Sequence, residues 1–176
     1  MFFSVKELEI KKLRFDVSFA PGEIQYEEGL RQATPLAVQG VAELLAHTLG
    51  EIRIQGHLNV RMCADCDRCL EPADFPIDSD FDLFYRPAHR AGFDEEVEID
   101  EGESEIAFYE GGGIELKDVL REFVLLSMPM QRICGDKCQG ICPVCGGNRN
   151  LVNCGCEPKP IDDRWSALKK LQVKGI

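Results

Sequence analysis

The chain lacks a long apolar run. Nowhere do about 18 apolar residues follow one another, so no helical membrane span is expected. No export signal is expected either, because Met1 to Lys12 alternate charged and apolar side chains without a continuous apolar stretch. The expected compartment is the cytoplasm, where cysteines stay reduced. Catalytic signatures are missing too, because no G-x-S-x-G, P-loop, G-x-G-x-x-G or H-E-x-x-H pattern occurs. Histidine is scarce: His47, His57 and His89 all lie away from the cysteines and read as ordinary strand or surface residues. No catalytic residue and no small-molecule substrate are expected. Positive charge is in deficit, with 20 Lys and Arg against 31 Asp and Glu, a formal net charge of -11. That balance disfavours a generic nucleic-acid-binding domain, whose affinity comes mainly from Lys and Arg on phosphate.

What is present is globular in composition. Of 176 residues, 44% are hydrophobic and 29% charged, enough for one ordinary domain with a small appendage. The charge is unevenly placed. Residues 71–110 carry 14 acidic and 2 basic groups, densest from Asp94 to Glu101, whereas residues 131–176 carry 8 basic and 4 acidic groups. The acidic block reads either as a solvated loop or as a surface for a basic partner such as a ribosomal protein. The basic tail either approaches RNA or balances thiolate charge.

Periodicity predicts an α+β fold. Phe3 to Phe19 alternate as strand with a break near Glu7 to Lys11, and Pro21-Gly22 is a turn. Residues 36–44 and 52–60 read as a hairpin turning near Gly50-Glu51, and Phe75 to Tyr85 adds a third strand with a carboxylate-rich face. Val97 with Ile99, and Ile106 with Phe108, suggest short strands, and Gly111-Gly112-Gly113 a flexible break. Leu116, Val119, Leu120, Phe123 and Val124 follow helical spacing over 114–127, ended by Pro129. A terminal helix is expected from Asp163 to Leu171, carrying Trp165 and Leu168 on one side. The expected architecture is an antiparallel β-meander or partly closed barrel covered by one main helix. A cysteine-rich, zinc-binding C-terminal segment and a short terminal helix complete it. Residues 1–130 form the β-rich domain, with its acidic loop at about 90–113 and its helix at about 114–127. Residues 131–176 form a zinc-binding tail packed on it.

Nine cysteines carry the chemistry. The odd number excludes a fully paired disulfide framework. One cluster holds Cys63, Cys66 and Cys69; a second holds Cys134, Cys138, Cys142 and Cys145; and Cys154-Gly155-Cys156 closes the set. Zinc takes four thiolates in a tetrahedron, and C-x2-C pairs on tight turns supply them two at a time. Cys142-Pro143-Val144-Cys145-Gly146 fits such a turn, since proline sets φ after the first ligand and glycine permits a left-handed residue. The favoured partition has two structural zinc sites: Cys142, Cys145, Cys154 and Cys156 locally, and Cys66, Cys69, Cys134 and Cys138 at long range. Cys63 is then left over, and a place as a small buried hydrophobe on its strand suits it. A single zinc held by Cys138, Cys142, Cys145 and Cys154 or Cys156 is the competing partition. An iron–sulfur cluster uses the same ligands, and a redox C-x2-C pair is the remaining reading.

Four elements together carry a family resemblance: Cys66-Asp-Arg-Cys69-Leu-Glu-Pro; Met128-Pro-Met-Gln131; Cys138-Gln-Gly-Ile-Cys142-Pro-Val-Cys145-Gly-Gly-Asn148-Arg-Asn150; and Asp163-Arg-Trp-Ser-Ala-Leu-Lys-Lys-Leu171. Over essentially its whole length the chain resembles the bacterial YceD family, named for large ribosomal RNA subunit accumulation. The resemblance implies a non-enzymatic ribosome biogenesis factor supporting 23S rRNA accumulation and large-subunit assembly. It brings no catalytic residue, and it supports Cys66 and Cys69 as a functional pair with Cys63 outside it. A large-subunit ribosomal protein or precursor particle is the expected partner. Arg149, Lys159, Arg164, Lys169, Lys170 and Lys174 are candidate RNA contacts. A metal- or redox-sensing regulator, or an accessory subunit of an rRNA-processing enzyme, is the alternative.

Overall fold

A computed structural model describes residues 1–48, 50–88 and 106–157. The expected Val97 and Ile99 strand, the acidic run 94–101, His89 and the terminal helix of 163–171 lie outside the described residues. So do Lys159, Arg164, Lys169, Lys170 and Lys174.

Alternation builds the sheet where it was expected. β1 (Phe2–Ser4) is followed by one helical turn, α1 (Val5–Leu8), which is the predicted break, and then by β2 (Leu13–Phe19). β3 (Leu30–Gln32), β4 (Leu36–Leu44), β5 (Ile52–Asp65) and β6 (Pro72–Pro87) follow. β7 (Ile106–Tyr109), β8 (Gly113–Glu115) and α2 (Leu116–Ser127) complete the described elements. The main sheet runs β2-β4-β5-β6-β7, with β3 pairing the far end of β5. On β5, Ile52, Ile54, Leu58, Val60, Met62 and Ala64 are buried while Asn59 and Arg61 are exposed. The carboxylates of β6, Asp74, Asp78, Asp80 and Asp82, all face outward, where Arg53 forks onto Asp82 at 2.8 and 2.6 Å. His57 stands between Asp80 at 2.8 Å and Asp78 at 3.0 Å.

Glycine lets other groups approach this sheet closely. Gly40 and Gly56 are cross-strand partners on the core side. A Cβ on Gly56 would lie 2.3 Å from the Gln39 carbonyl and 2.9 Å from the Phe81 ring, and one on Gly40 would lie 2.6 Å from the Phe15 ring. Two phenyl rings fill the space that side chains would otherwise need.

Three expectations change. β7 lies parallel to β6, so the sheet is not wholly antiparallel; a parallel neighbour needs a long crossover, and residues 88–105 provide the length. Gly113 is not a free break. It pairs with Ser4 in a two-stranded sheet of β1 and β8, its Cα so close that a Cβ would meet the Phe3 carbonyl at 2.0 Å. The helix therefore begins at Leu116, after β8, with the Leu116 N–H donating to the Met1 carbonyl at 2.9 Å.

α2 buries Leu116, Val119, Leu120 and Val124 in the same core as the main sheet, and Phe123 meets the Phe81 ring at 5.4 Å between centroids. Met128 leaves the helix in an extended conformation, as the residue before a proline must. No described helix is long and apolar enough to cross a membrane.

Candidate metal centres

The longest hairpin carries the first thiol pair at its tip. β5 and β6 stay paired out to Asp65 and Pro72, and the six residues between them form a tight knuckle. The Cys66 N–H donates to the Glu71 carbonyl, and the Leu70 N–H to the Cys66 carbonyl, each at 2.9 Å. Cys66 and Cys69 are buried, 0% and 4% exposed.

The segment leaving α2 is tied to this knuckle before it reaches its own cysteines. The Asp67 N–H donates to the Arg132 carbonyl and the Arg132 N–H to the Asp67 carboxylate, both at 2.7 Å. That clasp sets Cys134 and Cys138 against the hairpin. The sulfurs of Cys69 and Cys134 lie 3.7 Å apart and those of Cys66 and Cys138 3.9 Å apart, and all four fall within 4.8 Å of one another.

The second group is local. Cys142 and Cys145 sit on another knuckle, in which the Gly146 N–H donates to the Cys142 carbonyl at 2.9 Å and the Val144 N–H to the Cys142 sulfur at 3.5 Å. Gly146 takes φ 73°, the left-handed residue anticipated there. Gly155 (φ 59°) turns the chain between Cys154 and Cys156, and these sulfurs also gather within 4.8 Å. Here only Cys142 is buried, while Cys145 and Cys156 are exposed.

This geometry suits a single tetrahedral ion in each group. Zinc–sulfur bonds near about 2.3 Å give a tetrahedron edge of about 3.8 Å, close to the two sulfur separations of the first group and compatible with the 4.8 Å limit within the second. An iron–sulfur cluster sets two or more irons between opposing thiolates and spreads them further apart.

Electrostatics point the same way. Burial pushes the Cys66 thiol up, but the N–H groups of Cys69, Arg68 and Cys134 outweigh it and draw it down to about 6. The N–H groups of Cys145 and Val144 draw Cys142 down to about 6. Against these, the thiols of Cys138 and Cys69 push Cys134 up to about 12, and those of Cys145 and Cys154 do the same to Cys156. Four sulfurs this close cannot all ionise beside one another without a cation. A bound dication removes that conflict and takes all four as thiolates.

The structure thus brings together Cys66, Cys69, Cys134 and Cys138 in one group and Cys142, Cys145, Cys154 and Cys156 in the other. It separates Cys138 from the latter, which the one-metal partition required. Cys63 joins neither group. Nor is it a core residue: it is half-buried on the outer side of β5, between the inward-facing Met62 and Ala64 and opposite Asp74. Arg149 is exposed beside the second group.

Two features were missed in the sequence. Asn150 accepts from the Gln139 N–H at 2.8 Å and donates to the Cys138 sulfur at 3.4 Å, so a residue from inside the second ligand loop supports the first group. Leu70 adopts φ 63°. The Asn148-Arg-Asn150 run was the available signal for the first; leucine gives none for the second.

A family model described as "Large ribosomal RNA subunit accumulation protein YceD" matches residues 54–172, which include both thiol groups. The chain belongs to the YceD family. Among curated proteins, a "Large ribosomal RNA subunit accumulation protein YCED homolog 1, chloroplastic" from Zea mays is 23% identical over 171 residues. That match covers 83% of this YceD-family chain and 56% of the relative, so the chain spans little more than half of the relative's length. No solved structure matches the chain.

Proposed function

We propose that this YceD-family chain is a non-enzymatic ribosome biogenesis factor that supports accumulation of large-subunit rRNA by binding, in the cytoplasm. The observation that carries the reading is the closure of eight thiols into two complete tetrads. A catalytic zinc keeps an open position for water or substrate; a four-thiolate zinc has none. Each tetrad holds one structural zinc, and metal affinity becomes folding free energy, on the order of 10 kcal/mol per site. Residues 1–130 act as the β-rich domain and residues 131–176 as the metal-bound tail, whose described part is tied to the β5–β6 hairpin.

The partner in this reading is a large-subunit ribosomal protein or a precursor particle. Contact with rRNA, if made, falls to Arg149, Lys159, Arg164, Lys169, Lys170 and Lys174. Deleting the gene in its own host tests the role. A lowered ratio of large to small subunits and of their rRNAs, restored by the wild-type chain but not by a Cys66→Ser and Cys69→Ser double variant, is expected. An unchanged ratio contradicts the proposal.

A further inference from the structure

The two knuckles have one shape and different occupants. In each, the residue after the second cysteine donates its N–H to the carbonyl of the first at 2.9 Å and takes a left-handed φ, 63° at Leu70 and 73° at Gly146. Glycine adopts this conformation freely, whereas leucine meets its own backbone there. Among the described residues, the other non-glycine with positive φ is His47, a residue type enriched in that region. The core does not repay the strain at Leu70, because its side chain is 63% exposed and outside the core cluster. The turn is nevertheless held firmly. The Ile141 N–H donates to the Arg68 carbonyl at 2.9 Å, and the Asn148 amide to the Glu71 carboxylate at 3.2 Å. Ile141, brought against the knuckle by that bond, is itself 41% exposed. A braced, strained turn therefore presents a large apolar side chain to solvent, and such strain marks functional positions.

Charge indicates what kind of partner fits. Residues 65–71 and 131–157 carry five carboxylates, Asp67 and Glu71 among them, against four cations. Arg132 is already bonded to Asp67. Each dication with four thiolates adds two further negative charges. Among the described residues, the metal-loaded surface around Leu70 therefore favours Lys and Arg over phosphate.

We propose that Leu70 is the apolar anchor with which the knuckle end docks a basic protein segment, one presenting an apolar side chain flanked by Lys or Arg. The shape argument stands on geometry alone; the charge argument also rests on the metal reading above.

The test immobilises the metal-loaded 176-residue chain as wild type, Leu70→Gly and Leu70→Met. Two probes are offered separately: the protein fraction of purified large ribosomal subunits, and the rRNA stripped from them. Wild type and Leu70→Met are expected to retain at least one basic large-subunit protein, in a salt-sensitive way. Leu70→Gly is expected to lose about tenfold or more of that affinity, as an anchor residue does. It should keep both metals, and its melting temperature should stay level or rise by up to about 4 °C as the strain is relieved. Retention of rRNA in preference to protein overturns the proposal, as does no retention by wild type or equal retention by Leu70→Gly. A lower melting temperature for Leu70→Gly also overturns it, since the side chain would then be serving the chain's own packing. Metal content separates the two readings: a wild-type chain without metal fails the zinc reading, whereas two metals with an indifferent Leu70→Gly fail only the anchor.

Discussion

The two thiol groups use the same four donors and do different structural work. In the first, Cys66 and Cys138 are 72 residues apart and Cys69 and Cys134 are 65 apart, so a bound ion ties the hairpin tip to the segment beyond α2. In the second, all four candidate ligands fall within residues 142–156, and a bound ion would close one loop. Length alone explains little of this contrast, since the longer closure costs only about 1–2 kcal/mol more entropy. What is fastened matters more. The first group joins two parts of the fold and buries two of its thiols, Cys66 and Cys69, with Cys134 exposed, whereas the second buries only Cys142 and exposes Cys145 and Cys156. A shared ligand set therefore says nothing by itself about how far the loss of its metal will spread.

The largest effect should come from breaking the first group. Cys66→Ser is expected to remove one metal equivalent and lower the melting temperature by about 10 °C or more. It should also open residues 131–157 to limited proteolysis. Next, Gly56→Ala forces a methyl group against the Gln39 carbonyl and the Phe81 ring. It should cost about 1–3 kcal/mol in denaturant unfolding and leave both metals bound, because the strained site is remote from either group. Cys154→Ser should also remove one equivalent but cost only a few degrees, with the proteolytic change confined to the second loop. A fall as large as that of Cys66→Ser would erase the distinction between the groups.

The smallest change sharpens the comparison. Asn150→Ala removes the amide that reaches from the second loop to the Cys138 sulfur. It should cost about 1 kcal/mol and speed metal release from the first group to a chelator, measured by a colorimetric zinc indicator. An unchanged release rate would show that the two groups do not communicate through this bond.

Much of this arrangement was legible beforehand, for physical reasons. Thiol pairs with two residues between them on turns, followed by Cys154 and Cys156, leave few ways to form tetrahedra, so spacing favoured the two groups while leaving a one-metal partition open. Strict alternation exposed β4, β5 and β6, and the carboxylates of β6 showed which side faces water. The misses share a cause: they depend on what a distant segment does. β7 is a short apolar run, and its four residues do not themselves show whether they pair parallel or antiparallel with β6. β8 is visible only once β1 is placed beside it, since glycine at 113 otherwise signals a break. Leu70 looks like any leucine until the knuckle's hydrogen bond sets its φ, and Asn150 looks like loop until Cys138 arrives.

Stepwise removal of metal from the intact chain, followed by native mass spectrometry with cysteine alkylation mapping, tests the central claim most directly. The account predicts two zinc ions per chain. The one-metal intermediate should be labelled at Cys142, Cys145, Cys154 and Cys156, with Cys66, Cys69, Cys134 and Cys138 protected. A single metal, iron in place of zinc, or an intermediate labelled first at Cys66 and Cys69 would contradict it.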